Sequence, residues 1–357
     1  MATELTDPDG DGVLEFTQTI EDVDGDPIST TLELDEINGT TQSGSDRTPG
    51  WLSYTASSSL SGGTRTVNVD IQINASELQG AGTTYTFVLE ADDGVGTSTC
   101  TFDVSVKKFD GKKMYLTGHN DRDVAEYSLT TAWDTSTASL SQSTNSQNDP
   151  TGVFFRKDGR KMYQASPSNV EIYEYDLSTA WDISTASLKQ SVSARDNSPR
   201  DVFFREDGKK MYEAGNNAAE IYEFDLSTAW DISTLSYQQK YSSQDSDPEG
   251  VFFRGDGKRM YEVTNSTPAI HELALSTAWD ITTASLNNSI DGQDSNSEAV
   301  FFRNDGKKMY EAEQEFGEIH EYDLSTAWDI STATLVNSES FDAATYSGVF
   351  FRRTQIY

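Results

Sequence analysis

The stretch GVFFRKDGRKMYQASPSNVEIYEYDLSTAWDISTASLKQS, residues 152–191, decides the fold. It holds four short runs of β type: Gly152–Arg156, Lys161–Ala165, Glu171–Leu177 and a last run opening at Thr185-Ala186-Ser187-Leu188. Asp158-Gly159 between the first two runs is a hairpin signal, because Asp-Gly accepts the positive φ angles of a tight turn. The longer segment Leu177-Ser-Thr-Ala-Trp-Asp-Ile-Ser-Thr185 joins the third run to the fourth. These landmarks recur. Trp133, Trp181, Trp230, Trp279 and Trp328 stand 48, 49, 49 and 49 residues apart, each in Thr-Ala-Trp-Asp. The Asp-Gly pairs at Asp110, Asp158, Asp207, Asp256 and Asp305 keep the same spacing. Four strands in a repeat of this length is the signature of a propeller blade, and the period is too long for the common helical repeats.

The ends of the array predict how it closes. The first unit enters through Val106-Lys107-Lys108-Phe109 without a Gly-Val-Phe-Phe-Arg run, and the chain ends on an extra one, Gly348–Arg352. The last run then supplies the innermost strand of the first blade, which removes the open sheet edge. The expectation is an all-β chain: a five-bladed β-propeller over residues 107–357, closed by the C-terminal strand, behind an N-terminal β-sandwich over residues 1–106. The string Asp-Gly-Lys-Lys-Met-Tyr followed by Ile-Tyr-Glu-Tyr-Asp-Leu resembles the lactonase-like, YVTN-type propeller repeat. Such propellers serve as enzymes, adhesins and scaffolds, so the resemblance implies the fold more than the function.

The repeated residues read as structure. In Gly152–Arg156, Val153 and Phe155 face one side and Phe154 the other, as suits a sheet packed between two neighbours. The five tryptophans share one context and fill gaps between blades. Arg156, Arg205, Arg254, Arg303 and Arg352 end the first strand of each unit; pairing with a nearby Asp or stacking on Trp is preferred to an anion-binding ring. His271 and His320 stand where sister units carry Tyr173 and Tyr222, and His119 is isolated, which argues against a zinc enzyme. No Gly-x-Ser-x-Gly elbow, P-loop or His-Glu-x-x-His is present. The carboxylates would permit a glycosidase pair, but nothing in the sequence selects two of them.

Propeller connections alternate between two faces. The Asp-Gly hairpins and the Trp segments fall on one face and are nearly the same in every unit. The other face collects loops that differ, rich in Asn, Asp, Ser and Gln with isolated aromatics. This variable face predicts a binding surface for a receptor or glycan, with His119, Asn120, Arg122, Asn169, Asn216, Asn217, Tyr241, Asn265, Phe316 and Tyr346 as its candidates. Planar polar groups beside aromatic platforms suit sugars, and loops on a rigid frame carry binding residues.

Residues 1–106 lack the period and alternate as strands do, in Thr66–Ile71, Tyr85–Leu89 and Thr99–Val106. The ordered set Asp22-Val-Asp-Gly-Asp-Pro27, Pro49-Gly-Trp-Leu-Ser-Tyr54 and Glu90-Ala-Asp-Asp-Gly94 resembles the cadherin-like, dystroglycan-type Ig-like family. In that family acidic loops can bind calcium, which implies a Ca2+ site at Asp22, Asp24, Asp26 and Asp92. No other cofactor is required. Two Asp runs are also similar to EF-hand loops, but Gln18 replaces the closing Glu in one and Pro27 the turn Gly in the other.

The chain has 59 Asp+Glu against 26 Lys+Arg, a net charge of −33. That surplus excludes a nucleic-acid partner and docking on an anionic membrane, and no run is apolar enough for membrane insertion. One cysteine, Cys100, excludes an intrachain disulfide. The start at Met1 has no signal-peptide pattern. Extracellular-type modules without a signal, on a very acidic surface, predict a non-enzymatic virion surface protein of a tailed virus from a salt-rich habitat. It would be synthesised in the host cytoplasm and serve as capsid decoration, turret or tail fibre. Its N-terminal domain would contact other virion structural proteins, its propeller would meet a host surface glycan or glycoprotein, and particle symmetry would make it a homo-oligomer. The alternatives are a secreted adhesin of a halophile and a lactonase-like hydrolase. The hydrolase requires carboxylates or histidines converging at the central channel with bound metal.

Overall fold

The computed structural model describes residues 13–22, 27–37, 40–42, 52–61, 64–74, 84–105, 111–118, 123–145, 149–293, 295–341 and 346–352. The chain divides into two compact units, Met1–Phe109 with Thr354–Tyr357, and Asp110–Arg353. The described residues are all-β, apart from five single 3-10 turns of three residues each. Among them no helix is long and apolar enough to cross a membrane.

The N-terminal unit holds two antiparallel sheets. One has three strands, Val13–Asp22, Thr64–Asn74 and Leu52–Ser61, with Thr64–Asn74 in the middle. The other orders Thr40–Thr41, Ser29–Ile37, Thr84–Asp92 and Thr97–Ser105. Alternation decides what is buried: Val67, Val69 and Ile71 turn inward on one strand, Phe87, Leu89 and Ala91 on another. The Tyr54 hydroxyl of the first sheet donates to the Thr30 carbonyl of the second at 2.9 Å.

The second unit is five four-stranded antiparallel sheets arranged as the blades of a β-propeller. The innermost strands, in blade order, are Tyr346–Phe351, Val153–Phe155, Pro199–Phe204, Pro248–Phe253 and Ser297–Phe302. The chain's last strand pairs with Lys113–Gly118 and completes the first blade. In each blade Lys or Arg, Met and Tyr open the second strand, the Glu-Ile-Tyr type run forms the third, and the run after the Trp segment forms the fourth.

Side chains from the innermost strands fill the axis. Phe154, Phe203, Phe252, Phe301 and Phe350 meet edge to face in a closed ring, with successive centroids 5.4, 5.5, 5.7, 5.3 and 5.7 Å apart. Such contacts add about 0.5–1.5 kcal/mol each beyond area burial. The ring plugs the channel, so the two ends of the axis are separate sites.

At the end carrying the Asp-Gly hairpins every junction between blades uses the same lock. The buried tyrosine of the second strand donates its hydroxyl to the tryptophan carbonyl of the next blade: Tyr115 to Trp181 at 2.8 Å, then Tyr163 to Trp230, Tyr212 to Trp279, Tyr261 to Trp328 and Tyr310 to Trp133, each at 2.7 Å. The last of these closes the circle. Each tryptophan also donates its backbone N–H to the carbonyl of the hairpin glycine at 2.9 Å and lays its ring on that glycine, where a Cβ would meet indole atoms at 2.2–2.4 Å. This explains why all five tryptophans hold φ of +65° to +67°, a region costly for a bulky residue. The tryptophans do fill the gaps between blades, and Arg156, Arg205, Arg254 and Arg303 pair with the hairpin Asp two residues on. Arg352 lies over the Trp181 ring, 5.6 Å from its centroid.

A second repeated lock lies further out. A buried glutamate on the third strand is paired with the cation that opens the second: Glu126 with Lys113, Glu174 with Lys161, Glu223 with Lys210, Glu272 with Arg259 and Glu321 with Lys308. In blades two and three the amide of Gln190 or Gln239 bridges this glutamate to the aspartate that caps the 3-10 turn of the next blade, at 2.6–2.8 Å.

Candidate functional site

The innermost strand runs from the variable face toward the hairpin face. Its residues just before Val-Phe-Phe therefore ring the axis at the variable mouth. The second position before Val is Thr151, Arg200, Glu249, Glu298 and Ser347 in turn. The Val-Phe-Phe that follows is the same in all five blades, but this position changes between Thr, Arg, Glu and Ser. Thr151, Glu249, Glu298 and Ser347 are buried, and Arg200 keeps 22% of its side chain in solvent.

Glu249 and Glu298 hold the same position on the innermost strands of adjacent blades, and both are buried. Two buried carboxylates placed as neighbours repel each other when both are charged, which favours one proton on the pair. Burial pushes Glu249 up to about 7, with Arg200 and an amide hydrogen bond from Asn216 pulling the other way. Burial, then the Glu249 charge, raises Glu298 well above the usual carboxyl range. Arg200 Nε lies 3.2 Å from Glu249 Oε2 as an ion pair, without the alignment of a hydrogen bond.

A second tier of side chains, from the loops between second and third strands, holds the ring. Asn216 donates to Glu249 Oε1 at 2.6 Å, Asn265 to Glu298 Oε1 at 3.4 Å and Gln314 to Ser347 Oγ at 3.3 Å. Thr151 donates its hydroxyl to the Arg200 carbonyl at 2.6 Å. One step below the ring, sister blades place Gly152, Gly250, Ala299 and Gly348, whereas the third blade places Asp201. Its part-buried carboxylate accepts from the Val202 and Val251 amides at 2.8 and 3.0 Å, and desolvation pushes it up to about 7. A Cβ on Gly152 would lie 2.3 Å from this carboxylate, so the small neighbour is what admits it.

Buried glutamates also shape the rim. Glu213 accepts the amides of Arg195 and Asp196 at 3.0 and 2.8 Å, Glu262 that of Gln244 at 3.2 Å, and Glu311 that of Gln293 at 3.2 Å. Asp196, itself buried, accepts from Asn217 and Ala218 at 3.0 and 2.9 Å. The loops of the variable face are thus tied to carboxylates rather than left loose.

The candidates from the sequence fall into several groups. Asn216 and Asn265 reach the ring, as above. Asn217 serves through its backbone amide, and Asn169 donates to the Tyr173 hydroxyl at 2.5 Å. Tyr241 is half-buried, with its hydroxyl bonded by Gln244. Phe316 is 60% exposed, in the same turn as Gln314. Tyr346 corrects an expectation. It is 3% exposed and bonded to the Tyr127 hydroxyl at 2.8 Å, because it opens an innermost strand and does not lie in a loop. His119, Asn120 and Arg122 lie outside the described residues, as do Asp24 and Asp26 of the calcium expectation. Asp22 closes its strand opposite Arg65; Asp92 ends another opposite Ser29 and accepts the Gly94 amide at 2.7 Å. Among the described residues no group of three or more His, Cys, Asp or Glu is placed to hold a metal ion. His271 bonds Thr264 and Ser289 at 3.2 and 3.0 Å, a packed repeat position whose pKa burial lowers.

Glu249, Glu298 and Asp201 were not singled out from the sequence. Their signal is the line-up of Thr-Gly-Val, Arg-Asp-Val, Glu-Gly-Val, Glu-Ala-Val and Ser-Gly-Val, the variable step within an otherwise repeated strand.

No family model matches the chain, and no curated protein does. Solved structures similar to it include one from Bacteroides uniformis that carries a provisional 6-phosphogluconolactonase name. It is 14% identical, spans 77% of this chain and 83% of that one, and has a TM-score of 0.41. The periplasmic gluconolactonase of Pseudomonas aeruginosa is 12% identical over 76% and 81%, with a TM-score of 0.42. Sqt1 of Chaetomium thermophilum, bound to the N-terminus of ribosomal protein L10, is 13% identical over 74% and 73%, with a TM-score of 0.37. The lactonase names correct the expectation of a non-enzymatic virion surface protein: they accord with the lactonase-like hydrolase held as its alternative. Viral placement and the absence of catalysis are both withdrawn. At these identities the likeness concerns the fold, and activity must be argued from the mouth itself.

Proposed function

We propose that the axial mouth hydrolyses a cyclic ester of lactone type, with Glu249 and Glu298 as a dyad holding one proton. The observation that carries this reading is the burial of two carboxyls at one position of adjacent innermost strands, beside Arg200. Two buried carboxyls that favour one proton on the pair suit activating a water against a carbonyl, as a proton-sharing acid pair does. The ionised carboxylate takes a proton from water, and the oxygen of that water attacks the ester carbon. The protonated partner hydrogen-bonds the carbonyl oxygen, and Arg200 stabilises the charge developing there. Collapse breaks the ring C–O bond, and the departing alkoxide takes its proton from the dyad, leaving an open hydroxy acid. Arg200, the most exposed group of the ring, is the one an entering substrate meets first.

The test is turnover of a panel of lactones by the purified chain and by Glu249→Gln and Glu298→Gln. Loss of a dyad member should lower kcat by about 10²–10⁴. Equal turnover by the variants, or no turnover of any lactone, sinks the proposal.

For the N-terminal unit we infer a cadherin-like, Ig-like sandwich, supported by its two antiparallel sheets and the Tyr54–Thr30 link. Calcium at Asp22, Asp24, Asp26 and Asp92 belongs to the same reading. Calorimetric titration with calcium chloride should give saturable heat, and a flat titration removes the site.

A further inference from the structure

We infer that the mouth selects an uncharged, polyhydroxylated lactone and rejects phosphorylated or carboxylated ones. This rests on the hydrolase reading and adds the charge class of its substrate. The ring has a single cation among the described residues, Arg200, and that cation is already set against Glu249. Around it stand the carboxyls of Glu249 and Glu298, with Asp201 below. Asp247 acts on Glu249, and the buried Glu313 acts on Glu298. Even with one proton held by the dyad, the carboxylates outnumber the guanidinium. The groups are buried, which strengthens each repulsion an anion would meet.

Another described basic side chain of this rim leads away from the axis. Arg195 lies over the Tyr237 ring at 4.0 Å, and Tyr237 belongs to an outermost strand. Nothing in the ring forms a phosphate clamp, which takes several converging donors from Arg, Lys or free amides.

What the mouth does offer matches hydroxyl groups. Carboxyl oxygens accept, the amides of Asn216, Asn265 and Gln314 donate, and the Ser347 and Thr151 hydroxyls do either. Phe316 adds a flat apolar face at the rim. Its turn is fixed because Glu313 accepts the amides of Glu315 and Phe316 at 2.6 and 2.8 Å. An exposed ring held on a rigid turn suits the C–H face of a cyclic sugar derivative.

The test compares one sugar lactone in three forms, uncharged, phosphorylated on a hydroxyl, and oxidised to the uronic acid, using the full chain at low salt. The uncharged form should have a kcat/KM at least about 100-fold above either anionic form, a gap that narrows as salt screens the mouth. An anionic form turned over as well as the uncharged one, or better, overturns the selection while leaving the hydrolase standing. If no form is turned over, the hydrolase reading fails first. Phe316→Ala should raise KM for the uncharged lactone several-fold with kcat unchanged, and an unchanged KM removes the platform.

Discussion

Glu249 and Glu298, one full repeat apart in sequence, stand buried at the same position of neighbouring innermost strands at the variable mouth of the propeller. Neither blade alone makes this pair. It arises because the innermost strands converge on the axis, and because this strand position is free to differ between blades while its neighbours pack the phenylalanine ring.

Asn216 holds that geometry through its 2.6 Å bond to Glu249 Oε1, which favours the ionised form. Removing it in Asn216→Ala should raise the Glu249 pKa and move the acid limb of the pH–rate profile upward, with kcat lowered about tenfold. A merely structural role would lower stability and leave the limb in place.

The hairpin glycines should tolerate no side chain. Gly208 holds φ of +68°, and a Cβ there would lie 2.4 Å from the Trp230 ring. Gly208→Ala should cost at least about 2 kcal/mol of stability by denaturant melt, from backbone strain and displacement of the tryptophan. Gly96 has open space around its Cα, so Gly96→Ala serves as the control and should melt close to the parent.

The tyrosine lock can be tested at a single junction. Tyr212→Phe keeps the ring against Phe253, 4.2 Å away, and deletes the bond to the Trp279 carbonyl. The buried carbonyl then loses a donor, at a cost of about 1–3 kcal/mol. A loss below about 0.3 kcal/mol would show that the ring stacking, not the hydrogen bond, holds the junction.

Stability should fall as pH rises toward neutrality and beyond. Burial pushes Asp201, Glu213, Glu249 and Glu262 each up to about 7. Their folded values stand above the roughly 4 of an unfolded chain. The stability they contribute is therefore whole below pH about 4 and lost as pH passes about 7. Asp158, Asp207, Asp256, Asp305 and Glu174 have lowered values and act in the opposite sense, so their contribution is lost in strong acid. The urea midpoint should peak near pH about 5 and decline by pH about 8. A midpoint that holds level or rises across that range contradicts the burial argument.

The frame was legible because its marks repeat. Asp-Gly, Trp and Val-Phe-Phe each have one structural duty per blade, and an extra Val-Phe-Phe at the end told how the ring closes. The mouth was not legible for the opposite reason. Glu249 and Glu298 are two of 59 acidic residues, and only the packing of neighbouring blades brings residues of different repeats together. Asn216 and Asn265 were picked for exposure on variable loops, yet their work is to reach inward. Tyr346 misled because its neighbours read as loop, whereas the strand starts at that residue. The acidic surplus was read as a surface feature of habitat; Glu213, Glu249, Glu262 and Glu298 put part of it inside.

The most direct measurement is the pH dependence of kcat/KM for an uncharged lactone, with the parent chain beside Glu298→Gln. A dyad that works with one proton predicts a bell, falling in acid as both carboxyls become protonated and in base as the shared proton is lost. Glu298→Gln should flatten the bell and remove most of the rate. A parent profile without two limbs, or a variant that keeps the bell, would contradict the assignment of Glu249 and Glu298.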